Sequence, residues 1–168
     1  MKLKAITVWQ PWATLIMVGA KPWEFRNSPY WQYIGGPRHA GERIVIQSGA
    51  RPVRPAEVED LLRRIDSESA YKRTGLIAEI ARGVLLKVQA AHKCRLLPLG
   101  MALGTVVLGE PVLSCDLFNL NVADSDRGQF NWAWPVSEIR PFAPPFPVRG
   151  SQGFFDVDVP DDLLRSAA

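Results

Sequence analysis

Lysine, glutamate and arginine fall close together in Lys21-Pro22-Trp23-Glu24-Phe25-Arg26, which places an amine, a carboxylate and a guanidinium within one short stretch. A carboxylate there can orient a base or act as a general base, while Lys21 and Arg26 can bind phosphate or stabilise an oxyanion. Lys21 and Glu24 are therefore the catalytic candidates if the chain is an enzyme. The plainer alternative is a structural ion pair between Glu24 and Arg26 at the end of a sheet. In an extended chain residues 24 and 26 share a face, whereas residue 21 precedes the strand.

Aromatic residues flank these charges. Trp9, Trp12 and Trp23 can frame a nucleobase, because a base stacks on any aromatic face, or they can be core. Gln10, between the first two tryptophans, is counted with them as a ligand-binding candidate. Gln47 and Ser48 offer polar groups able to read a base edge, although turn hydrogen bonding suits Ser48 equally well. In Arg149-Gly150-Ser151-Gln152-Gly153 the glycines admit close approach of a ligand to the backbone, with Arg149 available to phosphate and Gln152 to hydrogen bonding. Gly-rich turns also simply connect strands.

Elements that would position these groups can be read from periodicity. Leu3 to Val8 is β-rich, and Trp12, Leu15, Ile16 and Gly19 then recur at helical spacing. Pro11 suits a first helical position and Gly19 a left-handed terminator, so a helix is expected over about 11–18. Trp23 to Arg26 reads as a short strand, followed by turn signals at 27–29 and 35–37. Arg43 to Gln47 alternates, with Ile44 and Ile46 on one face and Val45 and Gln47 on the other. From 55 to 92 the period changes: Val58, Leu61, Leu62 and Ile65, then Leu76, Ile77, Ile80, Val84 and Val88, predict a helical insertion of two or three helices. Leu103 to Cys115 returns to β character, with a bulge or bend at Gly109-Glu110-Pro111. Phe130–Val136, Ile139–Phe142 and Phe154–Val159 are the remaining strand candidates.

The expected fold is α+β, a small mixed β-barrel of about six strands with flanking helices and the insertion, all in a single domain over 1–168. Composition agrees, with 47% hydrophobic and 22% charged residues, as in an ordinary globular chain. A net charge of +3 implies only mild steering of a polyanion by the whole molecule, leaving local basic surfaces to do it. The insertion mixes Arg63, Arg64, Lys72, Arg73, Arg82 and Lys87 with six acids, Glu57, Glu59, Asp60, Asp66, Glu68 and Glu79, the pattern of a solvated face. Cys94 and Cys115 lack metal-binding spacing and read as reduced buried thiols. His39 and His92 read as surface or loop histidines, so neither metal nor cofactor is expected. No phosphate-loop, dinucleotide or nucleophile-elbow motif occurs. Without a signal-peptide pattern or a run of about 20 apolar residues, a cytoplasmic protein with no membrane partner is expected.

Four local patterns together resemble the ASCH family of PUA-like domains. These are the first strand with Val8-Trp9-Gln10-Pro11-Trp12-Ala13 and its helix; Gly19-Ala20-Lys21-Pro22-Trp23-Glu24-Phe25-Arg26, similar to a G-x-K-x-x-E-x-R stretch; Leu97-Pro98-Leu99-Gly100 leading into Ala102-Leu103-Gly104-Thr105-Val106-Val107-Leu108; and Pro147-Val148-Arg149-Gly150-Ser151-Gln152-Gly153-Phe154-Phe155, similar to a closing P-x-x-G-x-Q-G-aromatic segment. The resemblance implies the barrel and a cleft where the first helix meets residues 21–26. It also implies association with RNA, cleavage of RNA in some relatives, or hydrolysis of the acetyl amide of N4-acetylcytidine in one subgroup. That subgroup carries a threonine nucleophile where Glu24 stands, and a carboxylate cannot serve as the attacking hydroxyl.

Three functions from different classes therefore compete. The first is an RNA- or modified-nucleoside-binding module using a charged, aromatic-lined cleft of Trp9, Gln10, Trp12, Lys21, Glu24, Arg26, Gln47, Ser48, Arg149 and Gln152. The second is a metal-independent hydrolase of a nucleoside amide or of RNA. The third is a module that docks a protein partner through residues 55–92, which an exposed apolar stripe there would favour. Oligomeric state is not encoded in any of these patterns.

Overall fold

The computed structural model describes residues 1–27, 39–67, 74–91 and 96–165. The turn residues expected at 28–29 and 35–37, and His92 and Cys94, lie outside these. Strands β1 (Lys2–Val8), β2 (Trp23–Arg26), β3 (Arg43–Ser48), β4 (Met101–Leu108), β5 (Val112–Leu113), β6 (Trp132–Pro147) and β7 (Phe154–Asp158) form one mixed sheet. Its order is β2-β6-β4-β3-β1-β7, with β5 also on β6. Only β1 and β3 run parallel, Ala5 opposite Val45 and Val8 opposite Ser48, and the other pairs are antiparallel. The fold is thus mixed α+β as expected. The end strands β2 and β7 do not pair with each other among the described residues, so the path is an open one rather than the closed barrel anticipated.

Helix α1 (Trp12–Met17) follows β1. Its start is held by Gln10, whose Oε1 accepts from the Thr14 N–H (3.0 Å). Gly19 ends it at φ +77°, the left-handed conformation that costs glycine least. The Gly19 N–H donates to the Ile16 carbonyl and the Ala20 N–H to the Leu15 carbonyl, both at 2.9 Å, the paired bonds of a Schellman terminus. That terminus turns the chain directly into Lys21 and β2.

The helix is buried on opposite sides. Ile16 and Met17 pack with Ile6, Ile44, Ile46 and Trp134 of the sheet. Leu15 packs with Val58, Leu61 and Ile65 of α2 (Pro55–Ile65) and with Ala81, Leu85 and Val88 of α3 (Ala78–Ala90). The insertion's main apolar face is therefore spent on α1 and on itself. Ile77, Ile80 and Leu86 stay exposed at its surface. On the sheet's other face, Ala5, Val45, Phe142 and Val157 pack with Leu163 of the terminal helix (Asp161–Arg165).

Two strand boundaries differ from expectation. The region 130–142 is not two strands but part of one long β6, which stays paired to β4 through register shifts. Glu138 within it takes φ 44°, a bend of the kind that lets a strand continue after a local irregularity. Cys115 is helical rather than extended, in the short helix α4 (Ser114–Leu117), after the break at 109–111 has cut β5 to two residues. Gly104 packs closely on β6: a β-carbon there would lie 2.8 Å from Pro141 Cα.

Candidate functional site

The parallel pairing of β1 with β3 brings the C-terminal ends of both strands to one edge, where the β6–β7 turn also arrives. A cleft of about 1090 Å³ opens there. Its wall comes from Thr7 in β1 and Trp9 after it, Phe25 and Arg26 in β2 and Asn27 after it, Gln47 in β3 and Gly49 after it, and residues 147–154. This volume is at the upper end of ordinary small-molecule sites. Among the described residues two arginines, Arg26 and Arg149, line it, and no carboxylate does.

Aromatic groups stand around the charge. Trp9 is 56% exposed, with the Arg51 guanidinium 4.6 Å from its ring centroid. A β-carbon on residue 49 would lie 2.6 Å from Trp9 Cδ1, so glycine there admits the indole. Phe154 lies against His39, ring centroids 4.0 Å apart, and Phe25 stacks on Phe118 at 6.1 Å.

Behind Arg26 lies a buried charged group. Glu24 receives the Lys21 ammonium on Oε2 and the Arg26 guanidinium on Oε1, the latter at 3.0 Å. Lys21 and Glu24 side chains are only 5% and 8% exposed, and Arg26 is 36% exposed. Arg26 also donates to the Thr7 carbonyl (3.1 Å), tying β2 to the end of β1. The Lys21 ammonium sits 5.8 Å from the Trp12 ring and 5.6 Å from Phe25, so its surroundings are aromatic. Burial pushes the Lys21 pKa down; the charge and hydrogen bond of Glu24 oppose this, and the Arg26 charge adds to it.

Of the residues singled out in the sequence, Trp9, Arg26, Gln47, Arg149 and Gln152 converge on the cleft. Lys21, Glu24, Gln10, Trp12 and Ser48 do not line it. Gln10 is fully buried and donates to the Pro98 carbonyl (2.9 Å) while capping α1. Trp12 packs between the sheet core and the helical core. Ser48 Oγ exchanges hydrogen bonds with the backbone of Met101, at 3.2 and 3.1 Å, and so joins β3 to β4.

Thr7, Phe25 and Phe154 complete the wall without having been singled out. Phe25 and Phe154 belong to the motif stretches, and strand alternation opposite Ile6 would have turned Thr7 away from the sheet core. Among the described residues there is no cluster of three or more metal-ligating side chains, and no helix is long and apolar enough to cross a membrane.

No family model matches the chain, and no curated protein matches it. Among solved structures the chain is similar to the crystal structure of ASCH from Zymomonas mobilis. That likeness has 13% identity and a TM-score of 0.48, and covers 97% of this chain and 93% of that one.

Proposed function

We propose that this chain is a binding module for single-stranded RNA or a nucleotide, held in the cleft between the ends of β1 and β3 and the β6–β7 turn. The observation that carries the reading is the cleft's lining among the described residues: two guanidinium groups, no carboxylate, and aromatic side chains from Trp9, Phe25 and Phe154. Phosphate is attracted by fixed cations, and bases stack on aromatic rings regardless of their sequence. Arg149 has no carboxylate partner among the described residues and is exposed at the rim, free to meet phosphate. The resemblance of four sequence segments to ASCH domains points the same way. The buried Lys21–Glu24–Arg26 group acts in this reading as the support that fixes Arg26.

The test is titration of the purified protein with a short single-stranded RNA at low salt, followed by tryptophan fluorescence and calorimetry. Saturable binding that weakens steeply with added salt is expected. Its absence for every RNA and mononucleotide tried would overturn the reading.

Hydrolysis of a nucleoside amide or of RNA is the second reading: burial lowers the Lys21 pKa, which leaves more of the amine unprotonated and able to act as a base or nucleophile, behind Arg26 rather than in the cleft wall. Chromatography of the same mixtures, with N4-acetylcytidine included, tests it. Product formation that Glu24→Gln abolishes while binding persists would establish an enzyme.

A further inference from the structure

Gln47 is 1% exposed, yet it lines the cleft. Its Nε2 donates to the Ser48 carbonyl (2.6 Å) and the Val148 carbonyl (3.0 Å). Those two acceptors settle which way the amide faces, because the reverse orientation would set an oxygen against two carbonyl oxygens. Oε1 is left buried, and no described residue donates to it. Among the described residues this buried acceptor has no donor, which is costly, so a ligand donor in the cleft would relieve it.

A second oxygen is close by. Thr7 Oγ1 donates its proton to the Ser151 carbonyl (3.1 Å), so towards the cleft it offers lone pairs only. Gln47 Oε1 and Thr7 Oγ1 each lie 2.6 Å from the point where a β-carbon on residue 150 would stand. The two oxygens therefore lie side by side against Gly150, which leaves no room for a side chain there. A ligand amino group, with its pair of N–H bonds, matches two neighbouring acceptors; a ring N–H matches one. A cationic amine is disfavoured, since among the described residues the same cleft holds Arg26 and Arg149 and no carboxylate. What fits is a neutral aromatic amine on a molecule that is anionic elsewhere.

We propose that the cleft selects nucleotides whose base carries an exocyclic amino group, received by Gln47 Oε1 and Thr7 Oγ1, with phosphate at Arg149. This rests on the reading of the cleft as a nucleotide site.

The test compares each amino nucleotide with the analogue that lacks only that group: AMP with purine riboside monophosphate, CMP with its pyrimidin-2-one counterpart, and GMP with IMP. None of these changes adds bulk. Calorimetric titration of the wild-type protein is expected to show that the tightest-binding amino nucleotide binds about fivefold or more tighter than its analogue without the amino group. In Thr7→Val that ratio should shrink, an effect that a purely structural role of Thr7 would not produce because it would weaken parent and analogue alike. Equal affinity within all three pairs, or UMP binding more tightly than the amino nucleotides, would overturn the selection while leaving a nucleotide site in place. No saturable binding by any of them would overturn both.

Discussion

Glu24 is the hinge of the buried charge group, and replacing it with glutamine tests how that group is held together. In the native protein its carboxylate faces two cations, Lys21 and Arg26, and the Lys21 and Glu24 side chains are 5% and 8% exposed. Removing one partner of a buried pair typically costs roughly 3–5 kcal/mol, because the remaining charge is left desolvated and unpaired. Glutamine keeps one acceptor oxygen, so a loss near 3 kcal/mol is expected. For a chain of this size that corresponds to a fall in Tm of about 6–12 °C.

The same variant carries a pH signature. Burial already holds the Lys21 pKa below its ordinary value, with Glu24 opposing the shift. Between the lowered folded value and the ordinary lysine value the unfolded chain binds more protons, so native stability rises with pH across that window. Without the glutamate charge the folded value drops further and the window widens towards neutral pH. The stability deficit of Glu24→Gln should therefore shrink in alkaline buffer, as Lys21 sheds its proton. Circular-dichroism melts of wild type and variant from about pH 6 to about pH 10 measure both effects. A variant that melts with the wild type, or a deficit that stays constant with pH, refutes the argument that Lys21 is a buried charge dependent on Glu24.

Trp9→Ala should weaken RNA binding by about tenfold, since one stacking contact contributes on the order of 1–3 kcal/mol. Its Tm should move by no more than about 2 °C, because the ring is more than half exposed; fluorescence titration and a melt check the two halves. Arg149→Ala should lower affinity at low salt and reduce the slope of log K against log salt by about 0.7, the contribution of one phosphate contact on a single strand. Gln10→Leu should cost about 1–3 kcal/mol, because it strands the Thr14 N–H and the Pro98 carbonyl. It should leave RNA affinity unchanged in a titration below the melting range, since Gln10 lies outside the cleft wall.

Local pattern was enough to place α1, the short strands and the two long helices of the insertion, because the signals that specify them are local. Pro11 and Gly19 bracket α1 to within a residue or two, and Gly19 takes the left-handed φ that its type predicts. Alternation in Arg43 to Gln47 sorted Ile44 and Ile46 from Val45, and the structure sends the first two to one core and the third to another. The same alternation put Gln47 on Val45's face, from which it reaches the Val148 carbonyl beside the cleft. Pattern failed where continuity depended on a partner strand. β6 persists through Glu138 because β4 keeps pairing with it on either side, and no periodicity in 130–147 reports that.

Sequence order also placed the charged and aromatic groups in one neighbourhood, but not their division of labour. Residues 21, 24 and 26 look alike as candidates, since spacing along a strand says which face a side chain shares and nothing about how deep that face lies. Tertiary packing decided it. The Schellman turn after α1 tucks Lys21 beneath Trp12 and Phe25, Glu24 neutralises it there, and only Arg26 extends to the cleft. Likewise the parallel pairing of β1 and β3 joins segments far apart in sequence, setting Thr7 beside Gln47 and both beneath Gly150. Residue types and their periods are properties of the chain taken a few residues at a time. The depth of a charge and the convergence of two oxygens arise only when distant segments exclude water from the space between them.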